Sequence, residues 1–174
     1  MSLFKRLLQG IKEVINYKSP LRPPGSLKEK DFIKRCIKCN KCAQICPYDS
    51  IVMADISWSV NMGTPVIFPR EVPCYVCMKC TAVCPTGALD TSVDAKEKVK
   101  MGIAEINTEK CLPYLGVICR ACFEQCPIFR EAIYLEEEMH PKVDVKKCIG
   151  CGICERVCPV EGSAIIVKSA NIIV

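Results

Sequence analysis

The chain has 174 residues, 16 of them cysteine, with 50% hydrophobic and only 6% aromatic residues and a formal charge of +5. That length supports one or two domains, and the cysteines inflate the hydrophobic fraction, so whatever they hold must replace part of an ordinary core. The basic balance does not mark a nucleic-acid binder, because no stripe of lysine and arginine interleaves with aromatics.

Residues 3–15 place Leu3, Phe4, Leu7, Leu8, Ile11, Val14 and Ile15 at helical spacing, with Lys5, Arg6, Lys12 and Glu13 opposite. A helix of that length spans about 20 Å, short of a hydrocarbon core of about 30 Å. An amphipathic arm is predicted, for gripping a partner subunit, packing on its own domain or lying on a membrane surface. The N-terminus lacks the continuous apolar run and cleavage site of a signal peptide. Ser19-Pro20-Leu21-Arg22-Pro23-Pro24-Gly25 then reads as a semi-extended linker.

From residue 31 the chain repeats internally. Three runs share one spacing: Cys36-x2-Cys39-x2-Cys42-x3-Cys46-Pro47, Cys74-x2-Cys77-x2-Cys80-x3-Cys84-Pro85 and Cys148-x2-Cys151-x2-Cys154-x3-Cys158-Pro159. In chain order the third run is Cys111-x7-Cys119-x2-Cys122-x3-Cys126-Pro127, with a longer first loop. A short apolar strand follows each run, at residues 50–53, 87–89, 131–135 and 163–167. Residues 54–73 read as a hairpin or covering loop, residues 93–100 as a short exposed helix, and residues 102–106 as a strand.

This spacing is the signature of iron–sulfur ligation. All 16 cysteines are used, so four 4Fe-4S clusters are expected. A secreted disulfide scaffold is disfavoured, because cysteines three apart suit a metal centre better than a distant partner. A zinc module needs less than this repeated run of four cysteines and a proline. Since the ligands are not assembled in the unfolded chain, the apo form is expected to be largely disordered. Each cluster with its thiolates is anionic, and four of them reverse the sign of the formal charge.

Three cysteines at i, i+3 and i+6 wrap one cluster, while the fourth ligates its neighbour, so the motifs work in exchanging pairs. Sequential pairing joins the first motif with the second and the third with the fourth. Nested pairing joins the first with the fourth and the second with the third. Spacing alone leaves both open.

Arg22-Pro23-Pro24-Gly25, Arg35-Cys36-Ile37-Lys38-Cys39, Gly63-Thr64-Pro65, Pro69-Arg70-Glu71-Val72-Pro73-Cys74, Met101-Gly102-Ile103-Ala104 and Cys148-Ile149-Gly150-Cys151-Gly152-Ile153-Cys154-Glu155 carry a resemblance to MauM/NapG-type ferredoxins. The long third loop, with Tyr114-Leu115-Gly116 before Cys119-Arg120-Ala121-Cys122, is similar too. The resemblance covers about residues 20–168. With the N-terminal helical arm read from periodicity, the expected fold is α+β: two bacterial-ferredoxin-like units in a pseudo-repeat. The resemblance implies nested pairing: Cys36, Cys39, Cys42 and Cys158 at one cluster, and Cys148, Cys151, Cys154 and Cys46 at its neighbour. Cys74, Cys77, Cys80 and Cys126 then hold a third, and Cys111, Cys119, Cys122 and Cys84 a fourth. The expected domains are residues 1–30 for arm and linker, 31–50 with 140–174 for an outer unit, and 51–139 for an inner unit.

The function the resemblance implies is electron transfer between a catalytic oxidoreductase partner of molybdenum or tungsten type and a second redox subunit such as a flavoprotein. A quinol-dehydrogenase-associated NapG-type ferredoxin and a free polyferredoxin are the alternatives, and self-association into a filament is a further one. Lys5-Arg6 is not a twin-arginine leader, so a cytoplasmic setting is expected.

Nothing predicts catalysis by the chain itself. His140 is the only histidine, and there is no dinucleotide or phosphate loop and no convincing carboxylate pair. The acidic run Glu136-Glu137-Glu138 reads as a solvated strand end or a docking patch for a basic partner. Lys38 and Lys41 lie inside the first loop, Lys79 in the second and Arg120 in the third, whereas the fourth holds only apolar residues and glycines. Cations stabilise the reduced, more negative cluster, so the fourth-motif cluster is expected to be the most reducing.

Overall fold

The computed structural model describes residues 20–170, apart from the side chains at positions 58–60 and 138. The helix expected over residues 3–15 lies outside the described residues.

The fold is two similar units in tandem. In the first, α1 (Glu29–Arg35) leads into the first cysteine loop, α2 (Lys41–Gln44), β1 (Val52–Met53), β2 (Pro65–Val66), the second loop and α3 (Lys79–Ala82). The second runs β3 (Gly102–Ile106), third loop, α4 (Ala121–Glu124), β4 (Ile133–Leu135), β5 (Pro141–Val143), fourth loop, α5 (Ile153–Val157) and β6 (Ile165–Ser169). Each unit has an inner antiparallel hairpin, with Val52 opposite Val66 in one and Ile133 opposite Val143 in the other. Each is closed by its first and last extended segments: a single bridge from Ser26 to Leu89, and the full β3–β6 ladder from Gly102↔Ser169 to Ile106↔Ile165. The helices after the cysteine loops pack within their unit, α2 on α3 and α4 on α5.

The β3–β6 ladder shows why the sequence folds this way. Ala104 and Ile165 are buried while Ile103, Glu105, Ile166 and Lys168 face outward, the period of two that a half-buried strand requires. Outward, Lys168 pairs with Glu105. Residues 102–106 form the strand read from the sequence, whereas the exposed helix read over 93–100 shrinks to one 3-10 turn at Lys96–Lys98. The segment 54–73 contains the 3-10 helix Ile56–Asn61 and returns as β2 to close the hairpin.

Two expectations are corrected. Among the described residues the strands do not pair as the nested units 31–50 with 140–174 around 51–139; β3 of the expected inner unit pairs with β6 of the outer one. Each hairpin returns the chain directly to the next cysteine loop, and such local closure costs less loop entropy than pairing across the whole chain. Nor are residues 20–25 a linker. Pro20, Leu21, Arg22, Pro23 and Pro24 are all buried, and Ile67 donates to the Leu21 carbonyl at 2.9 Å, so this stretch packs into the first unit through a single bridge to Ile67.

The core divides likewise. One cluster gathers Leu21, Phe32, Ile67, Leu89, Val99 and Met101, together with Ile149 and Cys151 from the fourth loop. The other gathers Ala104, Ala132, Ile133 and Ile165 with Cys148 and Cys154. Sulfur thus stands where aliphatic side chains would otherwise fill space, as the low aromatic content implied.

Candidate metal centres

In the first, second and fourth loops, the residues two and four positions after the leading cysteine are left-handed. They are Lys38 and Asn40 (φ 57° and 65°), Val76 and Met78 (54° and 59°), and Gly150 and Gly152 (72° and 83°). Alternating handedness turns successive backbone N–H groups toward a common centre, an anion-binding nest. The third loop is built differently, since Arg120 keeps φ −129° and its longer entry closes through a 3-10 turn at Leu112–Leu115 ending on Gly116.

The loops collect the cysteines into four sets. Cys36, Cys39, Cys42 and Cys84 line a cavity of about 360 Å³, the first site. Cys46, Cys74, Cys77 and Cys80 line the second, about 300 Å³. Cys126, Cys148, Cys151 and Cys154 line the third, about 320 Å³. Cys111, Cys119, Cys122 and Cys158 line the fourth, about 360 Å³. All 16 predicted site residues are therefore brought together in fours, but every fourth cysteine goes to a different partner than nested pairing required. Cys84 rather than Cys158 joins Cys36, and Cys46 joins Cys74 rather than Cys148. Likewise Cys126 joins Cys148 rather than Cys74, and Cys158 joins Cys111 rather than Cys84. The physical reason is the local hairpin return within each unit.

All sixteen thiols are free. Among the described residues no three cysteine, histidine or carboxylate side chains converge as the ligands of one ion must. Four sulfurs set around each opening suit an iron–sulfur cluster, whereas a tetrahedral zinc site needs its sulfurs converged at about 2.3 Å from one ion.

The 4Fe-4S dicluster domain matches residues 35–88 and again 117–162, so each match falls within one tandem unit, the second leaving out Cys111 and the β3–β6 ladder. The chain is similar to the methylamine utilization ferredoxin-type protein MauM of Methylorubrum extorquens, 41% identical over 155 residues, 83% of this chain and 70% of that protein. It is likewise similar to the ferredoxin-type protein NapG of Escherichia coli, 39% identical over 158 residues, 83% of this chain and 68% of that one. The chain belongs to the MauM/NapG ferredoxin-type family. More distant is the ferredoxin-type protein NapF of Escherichia coli, 28% identical over 145 residues.

In this MauM/NapG-type ferredoxin, burial and mutual repulsion govern the thiols. Burial first, and then neighbouring sulfurs, push Cys42 up to about 11 and Cys74, Cys80, Cys122 and Cys151 up to about 12. Burial raises Cys154 well above the usual range. Clusters bind thiolates, so loading these sites releases protons. Two fourth-position cysteines differ. Burial opposes ionisation of Cys84 and Cys158, but backbone N–H groups outweigh it and hold both below the ordinary value. Leu89 donates to the Cys84 sulfur at 3.4 Å and Ala164 to Cys158 at 3.3 Å. Val76 and Ala104 donate to Cys74 and Cys148, each at 3.4 Å. Hydrogen bonds to ligand sulfur are a main control on cluster potential.

Of the loop cations named from the sequence, Lys38 and Lys41 line the first site, whereas Lys79 and Arg120 line none of the four cavities. Gly150 and Gly152 are held to glycine by close approach as well as by their left-handed backbone. A Cβ on Gly150 would sit 2.2 Å from the Gly102 nitrogen, and one on Gly152 2.3 Å from Pro69 Cβ.

Sequence reasoning missed two supports. Fully buried Arg22 donates through Nε to Glu29 at 2.9 Å and through one terminal nitrogen to Thr64 Oγ1 and the Pro65 carbonyl, each at 2.8 Å. Its other terminal nitrogen bonds Glu29 Oε1, and its charge opposes the burial that raises the Cys36 thiol. Arg70 donates to the carbonyls of Glu155 and Cys158, each at 2.8 Å, and of Val160 at 3.2 Å. It thereby ties the first unit to the end of α5. Among the described residues, no helix is long and apolar enough to cross a membrane.

Proposed function

We propose that this protein carries four 4Fe-4S clusters in a linear relay, ordered first, second, third, fourth site, and transfers electrons between a catalytic oxidoreductase subunit and a second redox partner. The sets named above are the proposed ligands. A 4Fe-4S cluster supplies a one-electron redox couple at each set. The chain's residues fix the order, exclude water and donate hydrogen bonds to sulfur. The observation that carries the reading is the backbone contact between units: the Cys74 N–H donates to the Cys151 carbonyl at 2.9 Å. Within each unit the exchange of fourth cysteines makes the sites neighbours, so Cys80 feels Cys42 and Cys46, and Cys154 feels Cys122.

Iron and acid-labile sulfide analysis tests the cluster number, with about sixteen irons per chain expected. A partner of molybdenum or tungsten type, in a cytoplasmic setting, is one form of this proposal. Coupling to a quinol-oxidising partner, the setting the NapG-type resemblance implied, is the other form, and similarity to NapG supports it equally. Copurification of the holo protein with each class of partner distinguishes them.

A further inference from the structure

We propose that the first site is the docking port for an electron-carrier protein with an acidic face. This rests on the reading of the four sites as a redox relay. Of the four, only the first has charged side chains in its lining, and both are cationic: Lys38 and Lys41. No charged residue lines the other three. Cys39 is exposed at this end, and Ile37 beside it is 63% exposed. Exposed Arg35 stands next to the same loop. Lys38 is held in place, because its backbone is left-handed and its stem lies over Gly63, within 3.1 Å of where a Cβ would stand.

An apolar centre ringed by one sign of charge, at the exposed edge of a redox centre, is how steered electron-transfer encounters are built. Free solvation of the lysines would not require their place in the cavity wall. The fourth site ends the relay with the opposite chemistry. Exposed Leu115, Val117 and Ile118 stand beside it, and its lining is uncharged, with exposed Arg120 outside the wall, so the cationic lining singles out the first end.

The test uses the fully loaded, reduced protein and two small oxidants, the trianion tris(oxalato)cobaltate(III) and the trication hexaamminecobalt(III). Each takes one electron from the protein and becomes cobalt(II). Stopped-flow rates are measured across ionic strength for the parent, for Lys38→Glu/Lys41→Glu, and for Lys98→Glu/Lys168→Glu. The last pair makes the same change in net charge on residues that line none of the sites. At low salt, where the Debye length is about 30 Å, the first variant should lose about tenfold in rate with the trianion and gain with the trication. The control pair should change little, and redox titration should show whether a shifted potential accounts for the loss.

Equal losses in both variants, or a loss explained by potential alone, overturn the proposal. A dimer seen by sedimentation in the parent and abolished by Lys38→Glu/Lys41→Glu would also overturn it, since the occupant would then be a second copy. Failure of the relay reading itself shows separately, as missing iron or missing reducible electrons in the parent before any oxidant is added.

Discussion

The backbone N–H of Cys74 donates to the carbonyl of Cys151 at 2.9 Å, joining the second cysteine loop directly to the fourth. Neither group is a side chain, so the contact depends on how closely the loops approach. Pro69 lies against Gly152 and Arg70 reaches carbonyls around Cys158 on the same seam. The second and third sites therefore adjoin at this seam, as the proposed relay order requires.

Arg70→Ala removes three donated hydrogen bonds from partly buried carbonyls. A loss of about 2 kcal/mol is expected, with incomplete rescue by Arg70→Lys, which lacks the forked donors. Thermal unfolding of the loaded protein reads the loss. Weakened magnetic coupling between the second and third clusters, seen by EPR, would show that the seam itself has opened.

Glu29→Gln leaves the Arg22 charge buried without its counter-ion. Because both side chains are essentially inaccessible, 0% and 2% exposed, a cost of about 3–5 kcal/mol is expected. Replacing both together by apolar residues should cost clearly less. Denaturant unfolding of the two variants compares them.

Val76 is a β-branched residue at φ 54°, a conformation that strains it. Val76→Gly should stabilise the loaded protein by about 1 kcal/mol, the strain released exceeding the added chain entropy. A lower unfolding midpoint would mean that the Val76 side chain contributes more packing than its backbone costs.

Removing iron with a chelator should collapse the fold. Five of the sixteen cysteines are buried outright and belong to the two core clusters, and without metal their thiols fill neither core well. Far-UV circular dichroism should fall toward a disordered chain, recovering only when iron and sulfide are restored.

The cysteine spacing made the cluster chemistry legible, because three of the four runs place ligands at i, i+3 and i+6, the spacing of 4Fe-4S ligation. Residues 102–106 were legible for a similar reason, since alternation reports a half-buried strand. Which fourth cysteine serves which site was not, because spacing is identical under both pairings and only the hairpin registers decide. Nor was the burial of Pro20–Pro24. Prolines without tertiary context read as a linker, and what draws this stretch inward is the Arg22–Glu29–Thr64 network between residues far apart in sequence. The neighbour that holds Gly150 to glycine, Gly102, is likewise a property of the assembled units.

Sequential exchange of ligands is the central claim, and iron content of Cys36→Ala, Cys84→Ala and the double variant tests it most directly. Each single change should remove one cluster, about four irons. If Cys36 and Cys84 hold the same cluster, the double variant also lacks about four. A loss of about eight irons in the double variant would place them at different clusters and contradict the relay order described here.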